Sequence, residues 1–171
     1  MAIRVVTLPR IGWELFRTVP SIPDTPEEAQ IGPELPALQG LRPERTAGGR
    51  FRLPAFTFHV GVNRNDTMVV RGASKTPDLL KHEQGHYDLL VLVTRAFARE
   101  LESLEADSVA ELGRLMGAAR QTHDERAQAV DAKYDSETDH SRNRAAQQRW
   151  DTAIAAALAL PKCDSIANLP L

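Results

Sequence analysis

The sequence predicts an α+β protein in which short strands precede long helices. Seven prolines fall between residues 20 and 54, and two β-rich runs, FTFHVGV at 56–62 and TMVVRG at 67–72, follow them. No proline occurs between Pro77 and Pro161, and apolar residues recur there with helical spacing. Strands followed by a block of helices indicate the α+β class.

The composition indicates a single globular domain over residues 1–171. Hydrophobic residues make up 42% and charged residues 26% of the chain, which are ordinary values for a soluble domain. The net charge of -2 gives no electrostatic basis for binding nucleic acid or an anionic membrane. The chain has one cysteine, Cys163, so no intrachain disulfide can form, and stability must come from packing or a metal.

No targeting or membrane segment is visible in the sequence. The N-terminal stretch MAIRVVTLPRIGWELF is interrupted by Pro9 and Arg10 and lacks the apolar core of a signal peptide. The longest apolar run, AIAAALAL at 153–160, is too short to span a bilayer. We therefore expect a cytoplasmic protein, with secretion by a signal-independent route as the alternative.

Local signals divide the N-terminal part of the chain into two segments. Residues 1–54 are expected to be extended and proline-rich, with RVVTL at 4–8 as a candidate strand. Residues 55–72 are predicted to form a β-hairpin whose loop is NRND at 63–66, because two β-rich runs flank these four residues.

The remaining region, residues 77–160, is predicted to contain three helices. Thr76 and Pro77 are typical of an N-cap and of a first helical residue. The periodicity of apolar residues indicates a second helix over about 106–133 and a third over about 142–160.

The stretch LLKHEQGHYDLL, residues 79–90, places ionisable groups inside a leucine-rich run. On a helical wheel His82 and His86 fall in the middle of the apolar stripe, and Glu83 falls at its edge. Burying such groups without partners costs several kcal/mol each. We therefore expect a cation between this helix and another segment.

Histidines four residues apart on a helix can converge on one divalent cation. The ring nitrogens of His82 and His86 can bind zinc at about 2.0–2.1 Å, and zinc lowers the pKa of a bound water to about 7. Glu83 lies one step round the helix, from where it can accept a proton from this water and pass it to a leaving amine. H-E-x-x-H is the arrangement found in zinc peptidases.

A catalytic zinc needs a third protein ligand. Asp88 falls on the polar face of the helix, and His123 lies in a very polar stretch, where we expect it to be solvated. The stretch YDSETDHSRN, residues 134–143, is a better source, and we expect it to be a turn-like link between two helices. Its candidate residues are Tyr134, Asp135, Glu137, Asp139 and His140.

Three blocks of the sequence carry a resemblance to a known family. The first is HEQGHYDL at 82–89. The second consists of Tyr134, Asp135, Thr138 and His140, followed by Gln148 and Trp150. The third and weakest is W-x-x-F, formed by Trp13 and Phe16. With these blocks the chain resembles a bacterial family of predicted secreted zinc-dependent proteases, a domain of unknown function within the zincin clan. That family usually has Gly after the histidine of the second block, and this chain has Ser141.

The resemblance implies a zincin-like fold, with a small N-terminal sheet beside the helix that carries HExxH. It favours His140 as the third zinc ligand, with Asp139 or Glu137 as alternatives. The edge strand of the hairpin would then bind an extended peptide by strand addition. Tyr134 could donate a hydrogen bond to the oxyanion or serve as a core or lid residue.

These observations predict a zinc-dependent metallopeptidase that acts on a peptide or protein substrate, with Glu83 as the general base. Its zinc ligands are predicted to be His82, His86 and His140. One alternative is a non-catalytic binding module with a structural or vestigial zinc site, which would act through a helical arm at 106–133. Another is metal-assisted hydrolysis of a non-peptide amide at the same site.

Overall fold

Three α-helices, one 3-10 turn at Trp13–Leu15 and ten short strands build the described part of the chain. In the computed structural model this part comprises residues 3–23, 25 and 27–171. The predicted α+β class is confirmed, because small sheets occupy mainly the N-terminal half and the helices follow. None of the helices in these ranges has the length and apolarity of a membrane-crossing segment.

Each of the three helices begins at a side-chain cap. Their bounds are α1 Pro77–Ser103, α2 Val109–Thr138 and α3 Arg144–Ala159. The Thr76 hydroxyl accepts a hydrogen bond from the Leu79 amide at 3.1 Å, and Ser108 and Asn143 cap α2 and α3 in the same manner. Such caps satisfy amides that the first helical turn leaves free. The predicted start of the first helix is therefore confirmed.

The second helix is longer than predicted. It continues past residue 133 and ends at Thr138. Tyr134 and Asp135 therefore lie on α2, and the prediction that they form a turn-like link between helices is wrong. The helix continues because Val130, Tyr134 and Thr138 recur every four residues and are all buried, which holds the last turns against the core.

The strands are short and form four sheets. They are β1 Arg4–Thr7, β2 Arg17–Val19, β3 Ala29–Gln30, β4 Glu44–Arg45, β5 Phe51–Arg52, β6 Thr57–Val60, β7 Met68–Val70, β8 Glu105–Ala106, β9 Ser165–Ile166 and β10 Leu169–Pro170. β1 and β6 pair in parallel, and β7 lies between β2, which is parallel to it, and β3, which is antiparallel. β5 lies between β4 and β8, and β9 pairs with β10, all antiparallel.

The predicted hairpin at 55–72 is wrong in its pairing, although both of its strands form. β6 pairs with β1, and β7 pairs with β2 and β3. The loop between them still turns, since the Asp66 amide donates to the Asn63 carbonyl at 3.2 Å. The strands diverge because the N-terminal segment supplies a partner to each of them. In this arrangement Phe58 of β6 stacks on Phe97 of α1, with ring centroids 5.8 Å apart.

Helix α1 lies at the centre of the core and contacts α2, α3, β1 and β3. Residues along its length are fully buried, among them Leu89, Val93, Phe97 and Leu101. The Tyr87 hydroxyl fixes it to the strands, because it accepts from the Leu8 amide at 2.7 Å and donates to the Val60 carbonyl at 2.8 Å. The side chains of α1 are thus held between the N-terminal strands and the other two helices.

Candidate metal centre

His82, Glu83 and His86 project from α1 into the protein interior, as predicted. Their relative exposures are 3%, 2% and 9%. Polar and charged groups this deeply buried need partners. Those partners come from the C-terminal half of α2, from α3 and from the segment 27–31 around β3.

Asp135 of α2 forms a triangle of donor atoms with the two histidines. Its Oδ1 lies 3.1 Å from His82 Nε2 and 3.0 Å from His86 Nε2, and the two Nε2 atoms are 3.2 Å apart. Ligand atoms around a tetrahedral zinc ion with bonds of about 2.0–2.1 Å are about 3.3 Å apart. The three atoms therefore have nearly the separation that one zinc ion requires.

The other ring nitrogens of the two histidines face oxygen atoms. His82 Nδ1 lies 3.1 Å from Gln147 Oε1, and His86 Nδ1 lies 2.6 Å from Asp131 Oδ1. The Gln147 amide is oriented by its nitrogen, which donates to the Asp151 carboxylate at 2.8 Å. The amide oxygen of Gln147 and the carboxylate oxygen of Asp131 can only accept, so each Nδ1 carries a proton. In the tautomer that leaves Nε2 without a proton, the lone pair of Nε2 faces the centre of the triangle.

The centre of the triangle therefore collects three electron-pair donors, namely two imidazole lone pairs and a carboxylate oxygen. Asp135 Oδ1 is buried and makes no hydrogen bond of good geometry to any described residue, in spite of its short distances to the rings. Such an arrangement is unfavourable unless a cation or extra protons occupy it. Two imidazoles and one carboxylate are ligands that zinc accepts, so these residues fit a zinc ion.

Charge in this region favours the same conclusion. Burial lowers the pKa of the His86 imidazole, but its interactions with the Asp131 and Asp135 carboxylates outweigh burial and raise the pKa well above its ordinary value. Burial raises the pKa of Asp135, but its interactions with His82 and His86 outweigh burial and hold the pKa well below its ordinary range. The carboxylates therefore make this interior favourable for positive charge.

Glu83 lies beside the triangle and is not part of it. Its Oε2 accepts a hydrogen bond from the Ile31 amide at 2.8 Å. Burial raises the pKa of Glu83, and the two histidines and the Ile31 amide lower it by less. Its side chain lines two cavities of about 280 and 230 Å³, which reach His82 and His86 respectively. A water molecule or a substrate could therefore contact this carboxylate.

His140 lies next to the triangle. Its Nδ1 is 3.5 Å from Asp135 Oδ1 and 2.7 Å from Glu27 Oε1. Glu27, Asp135 and His140 thus form a second group of donor atoms that are close enough to share a cation. His140 also lines the larger of the two cavities, together with His82 and Glu83. Asp135 therefore links the helical histidines to His140.

The turn that carries His140 has an unusual backbone. Asp139, His140 and Ser141 have φ angles of 48°, 49° and 74°. Residues other than glycine lose about 1–2 kcal/mol each in this left-handed region. The family that the chain resembles usually has glycine at the position of Ser141. The positive φ of Ser141 explains that preference, because glycine adopts such an angle without steric cost. The strain is held by the neighbouring helices, since the Asn143 amide donates to the Thr138 carbonyl at 2.8 Å.

Asp139 and Glu137, the alternative third ligands, point away from the α1 histidines. The Asp139 carboxylate lies 3.6 Å from Arg142 and is largely exposed. Glu137 accepts a hydrogen bond from Trp150 Nε1 at 2.8 Å. Neither belongs to a group of metal-binding donors among the described residues.

Tyr134 is a core residue of the site. Its ring stacks on His82 with centroids 4.8 Å apart, and its hydroxyl donates to the His82 carbonyl at 3.1 Å and accepts from Gln147 Nε2 at 2.6 Å. A Cβ atom at Gly85 would lie only 2.2 Å from this hydroxyl, so glycine is needed there. With both interactions made, the geometry favours the core role of Tyr134 over an oxyanion role.

His123 is buried, and the prediction that it is solvated is wrong. It is 1% exposed, its Nδ1 donates to the Ala119 carbonyl at 2.9 Å, and its ring packs 5.2 Å from that of Phe97. Burial lowers the pKa of this imidazole. The residues around His123 are mostly polar, so the sequence did not indicate that a narrow face of α2 is buried against α1. Asp88 lies away from the site, as predicted: it accepts a hydrogen bond from Gln84 at 2.9 Å and belongs to no group of metal-binding donors among the described residues.

Two residues of the site did not enter the sequence prediction, and a third was only one of several candidates. Asp131 and Gln147 orient the histidine rings, and Asp135 supplies the third donor of the triangle. A usable signal was present for two of them, since Asp131 and Asp135 are four residues apart and share a helical face. That signal requires α2 to extend through Thr138.

The comparisons with known proteins give one match. A family model described as a bacterial protein of unknown function (DUF922) matches residues 63–141, a little under half of the chain. The matched region includes all the donor residues on α1 and α2 and also His140. The match supports the resemblance to a bacterial family of unknown function, and it names no activity. Comparisons with curated proteins and with solved structures returned no match.

Proposed function

We propose that this protein is a zinc-dependent metallopeptidase with a zincin-like site. One observation carries the proposal: His82 Nε2, His86 Nε2 and Asp135 Oδ1 lie within 3.2 Å of one another beside a buried glutamate. Three protein ligands would leave a fourth zinc position for water or substrate. A glutamate directly after the first histidine of H-E-x-x-H is suited to act as the general base.

The metal would be held by His82, His86 and a third ligand. Distance favours Asp135 in that position, because its Oδ1 approaches both histidines within 3.1 Å. The family resemblance favours His140 as the third ligand. Its Nδ1 lies 3.5 Å from Asp135 Oδ1, outside the triangle of donor atoms. A bound zinc ion would supply Lewis-acid chemistry, which polarises a carbonyl oxygen and lowers the pKa of water to about 7.

Proton transfer is assigned to Glu83. The Ile31 amide holds one of its carboxylate oxygens at 2.8 Å, so the side chain is positioned before a substrate arrives. Its carboxylate would accept a proton from the attacking water and deliver it to the nitrogen of the breaking C–N bond. The carboxylate is then regenerated, and the products are a carboxylic acid and an amine.

A peptide is the favoured substrate because an edge strand adjoins the site. β3 is an edge strand of its sheet, and Gln30 and Ile31 line the same cavity as Glu83 and His86. An extended peptide can add to such an edge through backbone hydrogen bonds. This edge belongs to β3, which replaces the strand of the predicted hairpin in that role.

Zinc content and peptide cleavage, measured on the same preparations, test the proposal. The His86→Ala variant is expected to lose bound zinc. The Glu83→Gln variant is expected to keep zinc and to lose hydrolysis of a peptide library, because the amide cannot accept the proton. Asp88→Asn, which changes a carboxylate on the same helix away from the centre, should keep both. Equal cleavage by Glu83→Gln and the wild type would contradict the mechanism.

The burial of Glu83 favours one rival function. A carboxylate that is 2% exposed and already bonded to a backbone amide is also what a structural zinc site would contain. The protein would then be a non-catalytic binding module. In that case chelation lowers the melting temperature, and no member of the peptide library is cleaved with zinc bound.

A further inference from the structure

An apolar cavity of about 130 Å³ opens beside the candidate metal centre. It shares His86 and Asp131 with the centre. Its remaining walls are mainly apolar and include Pro33, Leu89, Leu90, Ala127 and Val130. An apolar cavity of roughly 150 Å³ accommodates a benzene molecule. This cavity is slightly smaller, so it can hold an aliphatic side chain such as that of leucine.

The walls of this cavity are part of the rigid core. Leu89 of α1 and Val130 of α2 are each 1% exposed, so their positions are fixed by packing on all other sides. Its acidic wall residue, Asp131, is engaged at 2.6 Å by His86. A charged or polar side chain would lose its water here and gain little in return. An apolar side chain would instead be stabilised by the removal of its surface from water.

The two cavities that Glu83 lines have a different character. Glu27 lines both of them, Glu28 lines one, and Asp135 lines the other. The cavities that Glu83 lines are therefore rich in carboxylates, whereas the cavity of about 130 Å³ has mainly apolar walls and a single carboxylate, that of Asp131. A peptide that crosses the centre would meet these two environments in succession.

We propose that the cavity beside His86 binds an apolar side chain, of about leucine size, from the residue that adjoins the scissile bond. The substrate class is then peptides with such a residue at that position. This inference rests on the proposed peptidase function, because a residue adjoins a scissile bond here only if the neighbouring metal centre cleaves peptides. Ala127 lines the cavity and lies one helical turn before Asp131 on α2. Because its side chain is a single methyl group, this position sets how much of the cavity stays empty.

Two hydroxamates test the cavity without any need for cleavage. Acetohydroxamate and isocaprohydroxamate carry the same zinc-binding group and differ by one isobutyl arm. The zinc-loaded wild type should bind the isobutyl compound roughly tenfold or more tightly, as expected for a hydrocarbon arm in an apolar pocket. Binding is measured by isothermal titration calorimetry.

A pair of matched variants shows where the arm binds. Ala127→Leu fills the cavity and should bring the ratio of the two dissociation constants close to one. Ala129→Leu adds the same atoms to an exposed position two residues further along α2 and should leave the ratio unchanged. A ratio near one in the wild type, or a ratio that Ala127→Leu does not alter, would overturn the inference.

A peptide library distinguishes failure of this inference from failure of the proposed function. Cleavage without a preference for apolar residues beside the scissile bond contradicts the apolar subsite and leaves the peptidase intact. A clear hydroxamate ratio without cleavage of any peptide leaves the cavity in place and contradicts the peptidase. Absence of binding for both hydroxamates contradicts both.

Discussion

The candidate site holds its histidines in two different ways. His82 and His86 belong to a capped, regular helix, and Gln147 and Asp131 orient their rings. His140 belongs to a turn in which three successive residues have positive φ. The helical pair can keep its geometry without backbone strain. The turn keeps its geometry only while its surroundings hold it, which is typical of strained positions near functional sites.

This difference leads to a prediction about the proposed zinc site. Donors on regular helices are already in place before a metal binds, so no ordering cost reduces their contribution. A donor on a strained turn contributes less to binding, because the free energy needed to maintain the strained backbone offsets part of the gain from the metal bond. We therefore infer that His82, His86 and Asp135 supply most of the affinity for zinc, and that His140 contributes less.

The largest expected effect comes from exchanging these donors one at a time. Asp135→Ala should weaken zinc binding by more than the roughly 100-fold that loss of an outer partner costs, because a direct ligand is removed. His140→Ala should weaken it by about tenfold or less. Competition with a chromogenic chelator measures both affinities. The reverse ranking would show that His140 is the third ligand and Asp135 its partner.

Gly85 tests how closely α1 and α2 are packed around the histidines. Gly85→Ala should lower the free energy of unfolding by about 3 kcal/mol, because the added Cβ overlaps the Tyr134 ring and the core has to shift. Gly113→Ala is the matched control on α2, where an added Cβ meets nothing within 4 Å. It should raise the free energy of unfolding by about 0.5–1 kcal/mol. Urea denaturation of the metal-free protein measures both, and a small effect at Gly85 would contradict the close packing.

Asp131 tests the contribution of ring orientation. Asp131→Asn keeps the size of the side chain but removes the charge that faces His86 Nδ1. Zinc affinity should fall by about 10–100-fold, the usual cost of changing an outer partner of a metal ligand. Asp124→Asn, a carboxylate of the same helix that pairs with Arg120, should leave the affinity unchanged. Equal affinities for the two variants would mean that Asp131 does not orient the ring.

The helical half of the site could be predicted from the sequence, and the reason is geometric. A helical wheel shows which residues share a face, so the burial of His82, Glu83 and His86 follows from local spacing alone. The same rule would have placed Asp131 and Asp135 together, but only with α2 extended through Thr138. The polar residues of its last turns masked a buried face of which Tyr134 and Thr138 are part.

The pairing of the strands could not be predicted in this way. β6 and β7 have the composition of strands, yet their partners lie about fifty residues earlier in the chain for β1 with β6 and for β2 with β7. Local signals favoured the nearest partner, which is a hairpin. Contacts that form only in the folded protein accompany the observed pairing, such as the stacking of Phe58 on Phe97 of α1, and local signals do not contain them. The turn around His140 is a similar case, because its φ angles depend on how α2 and α3 meet.

Ser141 provides the smallest and most local test of the comparison. Ser141→Gly should raise the free energy of unfolding by about 1 kcal/mol, because glycine adopts a φ of 74° without the steric cost that serine bears. Ser136→Gly, an exposed serine inside α2, should lower it by about 0.5–1 kcal/mol, since glycine weakens a helix. Thermal unfolding of the metal-free variants measures both. If His140 contributes little to metal binding, Ser141→Gly also leaves zinc affinity unchanged. A fall in affinity with the gain in stability would mean that strain in this turn holds His140 against the metal.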